Sequence, residues 1–125
     1  MSEIYLNEED IEWMGLKKSE YLSLLIQNQT SDDYSFADFH LYDHLIPQTL
    51  KEPEWVSSVR ENKYILKMFC KSHHGEKNLY QVVIGFVAEE KIDDEVFVPI
   101  LTFVTKDVSL AEQFKSGEVK KQTFH

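Results

Sequence analysis

The sequence predicts an α+β fold: N-terminal helices packed on a three- to four-stranded antiparallel meander, with a short C-terminal helix. Three observations predict it. Up to residue 61, apolar residues recur at helical spacing behind capping residues. From Asn62 the period drops to two, through three runs rich in β-branched and aromatic residues. The connections between those runs are short, as they are between antiparallel neighbours. At 125 residues, with 42% hydrophobic and 13% aromatic content, the chain has the size and composition of a single domain, 1–125.

Asn7 stands before Glu8, Glu9 and Asp10, an N-cap followed by carboxylates that suit the positive end of a helix dipole. Ile11 and Met14 then share a face, Gly15 interrupts, and Ser19 with Glu20 opens a second run carrying Leu22, Leu25 and Ile26. The expectation over Asn7 to Gln29 is therefore two helices with a break near Gly15. The polar run from Asn28 to Asp33 is a loop by composition. Ser35 with Asp38 resembles a capping box, and Phe36, Phe39, His40 and Asp43 recur at helical spacing up to Pro47. Pro47 to Leu50 is suited to a further turn before Glu52-Pro53. The segment Glu54 to Glu61 is ambiguous; Trp55, Val56 and Val59 would form a short amphipathic turn of helix, and 1–61 is expected to be mainly helical.

The meander is expected over 62–105, with strands Tyr64–Lys71, Leu79–Ala88 and Val96–Thr105. Tyr64, Leu66, Met68 and Cys70 fall on one face of the first strand, and Ile65, Lys67, Phe69 and Lys71 on the other. His73 to Asn78 reads as the hairpin connector. Glu89 to Glu95 is a charged connection, and Pro99 implies an edge position or a bulge in the third strand. Ser109 with Glu112 forms a second capping-box pattern. Leu110, Ala111 and Phe114 give its stripe and Gly117 its C-terminal cap, so 106–117 is a closing helix segment. Residues 118–125 read as a tail.

Twenty-two acids against thirteen bases give a formal charge of −9, which repels a phosphate backbone and favours basic protein partners. A single cysteine, Cys70, excludes an intramolecular disulfide scaffold, and its apolar strand face marks it as a buried thiol rather than a nucleophile. The first residues lack a basic and then apolar leader pattern, and no run nears the roughly 18 apolar residues of a membrane span. The expected location is cytoplasmic, with no membrane association.

The chemistry-bearing candidates are few. His40 and His44 lie four apart, which on an α-helix projects both imidazoles from one face toward a shared metal. The position after His40 is leucine, not the glutamate of the zinc-protease motif. The competing account is a partly buried His40 and a surface His44. No glycine-rich phosphate loop is present, since Gly15, Gly75, Gly85 and Gly117 are isolated, and no cofactor is expected. The acid clusters read as helix-dipole partners and solvated loop charge. Lys67 and Lys71, joined by Arg60 and Lys63 and interleaved with Ile65 and Phe69, form the one candidate basic stripe. Its ordinary reading is edge protection.

From Ser35 to Asp107 the order is a histidine-bearing segment FHLYDHLIPQTLKEPEWV, then YILKMF, YQVVIGFV and VPILTFVTKD. This succession resembles the barnase, EndoU, colicin and RelE-like nuclease superfamily. The resemblance implies helices on a curved antiparallel sheet and metal-independent attack of a ribose 2′-hydroxyl on its neighbouring phosphate. Within it His40 matches the base, Lys67 and Arg60 the phosphate stabilisers, and Thr102 a positioning hydroxyl. The acidic excess runs against an RNA substrate, and a second general acid is missing.

Three functional expectations follow. The first is an acidic protein-binding module, such as an inhibitor or immunity-type partner of a basic protein, because that role needs acids and aromatics but no catalytic constellation. The second is the nuclease-like enzyme, with nucleic acid as partner. The third is metal binding through His40 and His44.

Overall fold

The computed structural model describes residues 6–74, 78–88 and 97–115. Helix α1 (Glu8–Asn28) is followed by a 3-10 helix (Phe36–Leu45), α2 (Ile46–Lys51), strands β1 (Trp55–Glu61), β2 (Tyr64–His74), β3 (Asn78–Ala88) and β4 (Val98–Thr105), and α3 (Val108–Gln113). The four strands form one antiparallel sheet in the order β1-β2-β3-β4, so the α+β expectation holds with the fuller strand count.

Several elements differ from the sequence reading. Helix α1 is continuous through Gly15, whose missing side chain faces open space. One exposed glycine costs a helix about 1 kcal/mol, and buried anchors on both sides of it, Asp10 before and Tyr21, Leu24 and Leu25 after, outweigh that. The segment 55–61 is a strand, not a helical turn, so the meander starts earlier than residue 62. Its burial alternates, with Trp55, Ser57 and Val59 partly covered and Val56, Ser58 and Arg60 exposed. Asn62 makes the tight turn into β2 in the left-handed region, at φ 56, which asparagine tolerates because its short side chain bonds locally. His73 and His74 belong to β2 rather than to a connector. The N-cap of α3 is Asp107, which accepts from the Ser109 amide at 2.9 Å, two residues before the expected cap. Pro99 lies in an edge strand opposite Gly85, beside a register shift between Ile84 and Gly85, as its missing amide demands. The expected connection Glu89–Glu95, the Gly117 cap and the tail 118–125 fall outside the described residues.

The core lies between the helices and one sheet face. Leu66, Met68 and Cys70 of β2 register with Phe86, Ile84 and Val82 of β3, and with Tyr64 they point toward α1 and α3. Tyr21, Leu24 and Leu25 of α1 meet Leu110, Ala111 and Phe114 there, while Trp13 stacks on Tyr64 at 4.0 Å between centroids. Burying each such large side chain stabilises the fold by about 1.5–3 kcal/mol.

Helix α2 covers one end of the opposite sheet face. Phe39 still packs on the first face, beside Phe103. Thr49 of α2 reaches Gln81, a residue of the second face, so the chain passes from one face to the other between them. Further along that second face, Phe97 closes over Gly85 and meets Phe69 edge to face at 5.2 Å.

Candidate functional site

Helix α1 presents two different sides. Its start is fixed by a reciprocal capping box, in which the Asp10 amide donates to Asn7 Oδ1 at 2.9 Å and the Asn7 amide to Asp10 Oδ2 at 3.1 Å. Asp10 is buried, and Tyr64 Oη donates to it at 2.6 Å. Three residues on, Trp13 Nε1 donates to Glu61 at 3.3 Å, and Lys17 pairs with that same carboxylate. These contacts clamp the inner side of the helix to the β1–β2 turn.

The outer side carries three large aliphatic residues among the polar ones that a solvated helix ordinarily shows. Ile11 is 57% exposed, Leu16 70% and Ile26 68%, and the acids Glu8, Glu12 and Glu20 stand among them, also exposed. Between α1 and β1 runs a groove of about 620 Å³ whose lining includes Trp13, Leu16, Lys17, Glu20, Leu24 and Glu61. Large aliphatic side chains left exposed beside carboxylates are features that a protein-docking face uses. From the sequence, Ile11 shares a face with Met14, and Ile26 one with Leu22 and Leu25. The signal that separates Ile11 and Ile26 from Leu24 and Leu25 is only their angular offset around one unbroken helix, and the expected break at Gly15 concealed it.

The second sheet face holds the basic stripe. Lys67 pairs with Ser58 on one side and Gly85 on the other, and Arg60 pairs with Ile65, so Arg60 and Lys67 are diagonal neighbours on this face. Thr102 shares the face, across Val83 from Phe69, two strand spacings or roughly 10 Å from it. The edge-protection account of Lys67 and Lys71 fails, because β2 is an inner strand. Lys71 Nζ is instead engaged, donating to the Glu52 carbonyl at 2.9 Å.

His40 is exposed on the 3-10 helix, and among the described contacts no hydrogen bond joins it to Arg60, Lys67 or Thr102. Three of the four nuclease candidates thus share a face, and the fourth, His40, is carried by a different element, the 3-10 helix. The paired-histidine geometry also changes. At three residues per turn, positions four apart sit about 120° apart rather than on one side, so His40 and His44 do not converge from this helix. No cluster of three metal-ligating side chains occurs among the described residues. Cys70 is buried, as its strand face implied, and burial, with smaller contributions from Glu54 and Glu112, pushes its thiol up to about 12.

One further polar cluster lies where α2 meets the sheet. Thr49 Oγ1 lies 2.9 Å from His73 Nε2 and 2.5 Å from Gln81 Oε1, and Gln81 Nε2 donates to the Tyr42 carbonyl at 2.9 Å. Thr49 and Gln81 are fully buried, so this cluster ties helix to sheet and offers no accessible nucleophile. Among the described residues no helix is long and apolar enough to cross a membrane. Comparison of the chain with family models, curated proteins and solved structures finds no match.

Proposed function

We propose that the protein is a small acidic protein-binding module whose partner is basic, of the kind that inhibits or shields that partner. The observation that carries this reading is the outer side of α1, where large aliphatic side chains stand exposed among carboxylates. A net charge of −9 speeds encounter with a cationic surface, and the aliphatic residues supply the desolvated contact that holds it. Immobilised full-length chain, exposed to lysate of its own host, is expected to retain a basic protein at about 0.05 M salt. Raising salt toward 1 M shortens the screening length to about 3 Å and should release most of it. Recovery of neutral or acidic proteins only, or retention indifferent to salt, would contradict the reading.

A second reading, metal-independent cleavage of RNA, is favoured by one observation: Arg60, Lys67 and Thr102 share the sheet face opposite α1 and α3. Cationic groups there suit a phosphate on which charge develops. Incubation with a fluorogenic RNA oligonucleotide in chelator tests it. Cleavage that falls at least tenfold in both Lys67→Ala and His40→Ala supports the reading, and no cleavage at stoichiometric protein removes it.

A further inference from the structure

Four residues of α1 form a seam that the sheet does not use. At 100° per residue, Ile11, Gly15, Leu22 and Ile26 fall within about 60° of arc and extend over about 22 Å of helix. Ile11 and Ile26 are more than half exposed, Leu22 is half-buried, and a Cβ added at Gly15 would meet nothing within 4 Å. The successive spacings of four, seven and four residues are those of a ridge that interdigitates with another helix.

We propose that this seam docks an amphipathic basic helix of the partner protein, laid lengthwise on α1, with an apolar side chain seated over Gly15 and lysines or arginines facing Glu8 and Glu12. The proposal rests on the protein-binding reading above and names the partner's chemistry. Charge selects the occupant. Glu8 and Glu12 are exposed beside the seam against one base, Lys18, and the last turn of α1 contains no basic residue to offset the negative end of its dipole. A cationic helix satisfies both. A second copy of this chain would bring another −9 against the same carboxylates. The shape selects a helix because Gly15 leaves a notch between flanking aliphatic side chains, which permits close approach of the two axes, on the order of 8–10 Å.

The test places a photo-crosslinking amino acid at Ser19, exposed beside the seam, or at Val56, 48% exposed on the second sheet face, each in the full chain and in host lysate. Sequencing of the linked peptides then reports the occupant. The expected result is a link from position 19 to a segment with apolar residues at helical spacing and a lysine- or arginine-rich flank. That link should fall about tenfold in Gly15→Leu, with circular dichroism and melting temperature showing the fold intact. A link from position 19 to a second copy, to an acidic segment or to an extended one overturns the proposal, as does a basic link indifferent to Gly15→Leu. Basic segments linked only from position 56 overturn the seam and leave the protein-binding reading standing. The absence of basic links from both positions overturns the two together.

Discussion

Replacing Thr49 by valine removes one hydroxyl while nearly preserving side-chain volume, which isolates the polar cluster between α2 and the sheet. The hydroxyl has a single proton. Its contact with Gln81 Oε1 at 2.5 Å takes that proton, and the contact with His73 Nε2 at 2.9 Å is then one in which the imidazole N–H donates. In Thr49→Val the fully buried Gln81 oxygen loses this donor, and a buried neutral group left unpaired costs about 1–3 kcal/mol. His73 is only half-buried and can turn its N–H toward water, so it adds little. The expected loss is about 2 kcal/mol, or about 6–10 °C in melting temperature for a domain of this size. Urea unfolding followed by circular dichroism should show a lower midpoint at unchanged slope. Adding Gln81→Leu to Thr49→Val should cost less than the sum of the two single changes, by about 1 kcal/mol or more, because both polar partners are then gone. A loss below about 0.5 kcal/mol for Thr49→Val, or strictly additive effects, would refute the view that this cluster holds α2 on the sheet.

Other consequences are equally direct. Gly85→Ala should destabilise by about 2–4 kcal/mol, since its Cβ would lie 2.3 Å from Phe97 Cζ and 2.5 Å from the Val98 carbonyl oxygen. The second contact is with backbone, so trimming Phe97 should fail to restore stability in thermal melts. Gly15→Ala, in contrast, should stabilise by about 0.5–1 kcal/mol in urea titrations, because nothing obstructs the added methyl and α1 gains helix propensity. The Cys70 thiol is pushed up from 9.0 to about 12 in the folded chain. Its contribution to stability is therefore complete below pH 9.0 and is lost as pH rises through that window toward about 12. Alkaline unfolding should be shallower in Cys70→Ala than in the parent. A chromogenic disulfide reagent at pH 8 should label the native chain far more slowly than the urea-unfolded one.

Much of the fold was legible in local residue patterns. The two-residue period of Tyr64–Lys71 identified a strand because one side of it is buried and the other is not, and the missing amide of Pro99 placed it in an edge strand at a bulge for a purely local reason. Cys70 was legible as a buried thiol from the apolar neighbours on its side of β2. The segment 55–61 was not legible, because Trp55, Val56 and Val59 fit a helical turn as well as a strand, and only pairing with β2 through the Asn62 turn decides between them. The candidate sites divide in the same way. That Lys67 lies on the less apolar side of its strand follows from alternation; that Arg60 and Thr102 join it there depends on register across four strands.

The sequence by itself determined the acidic charge, the single cysteine, the α+β order and the capped start of α1, since each depends on composition or on residues a few positions apart. Only the tertiary structure decided that Gly15 does not break α1, that the histidines at 40 and 44 diverge on a 3-10 helix, and that Ile11 and Ile26 face outward while Leu24 and Leu25 face the core. The reason is physical. The free energy that fixes a helix's continuity and orientation comes from burial against a sheet assembled from residues 55–105, and no short stretch of sequence contains both partners of that contact.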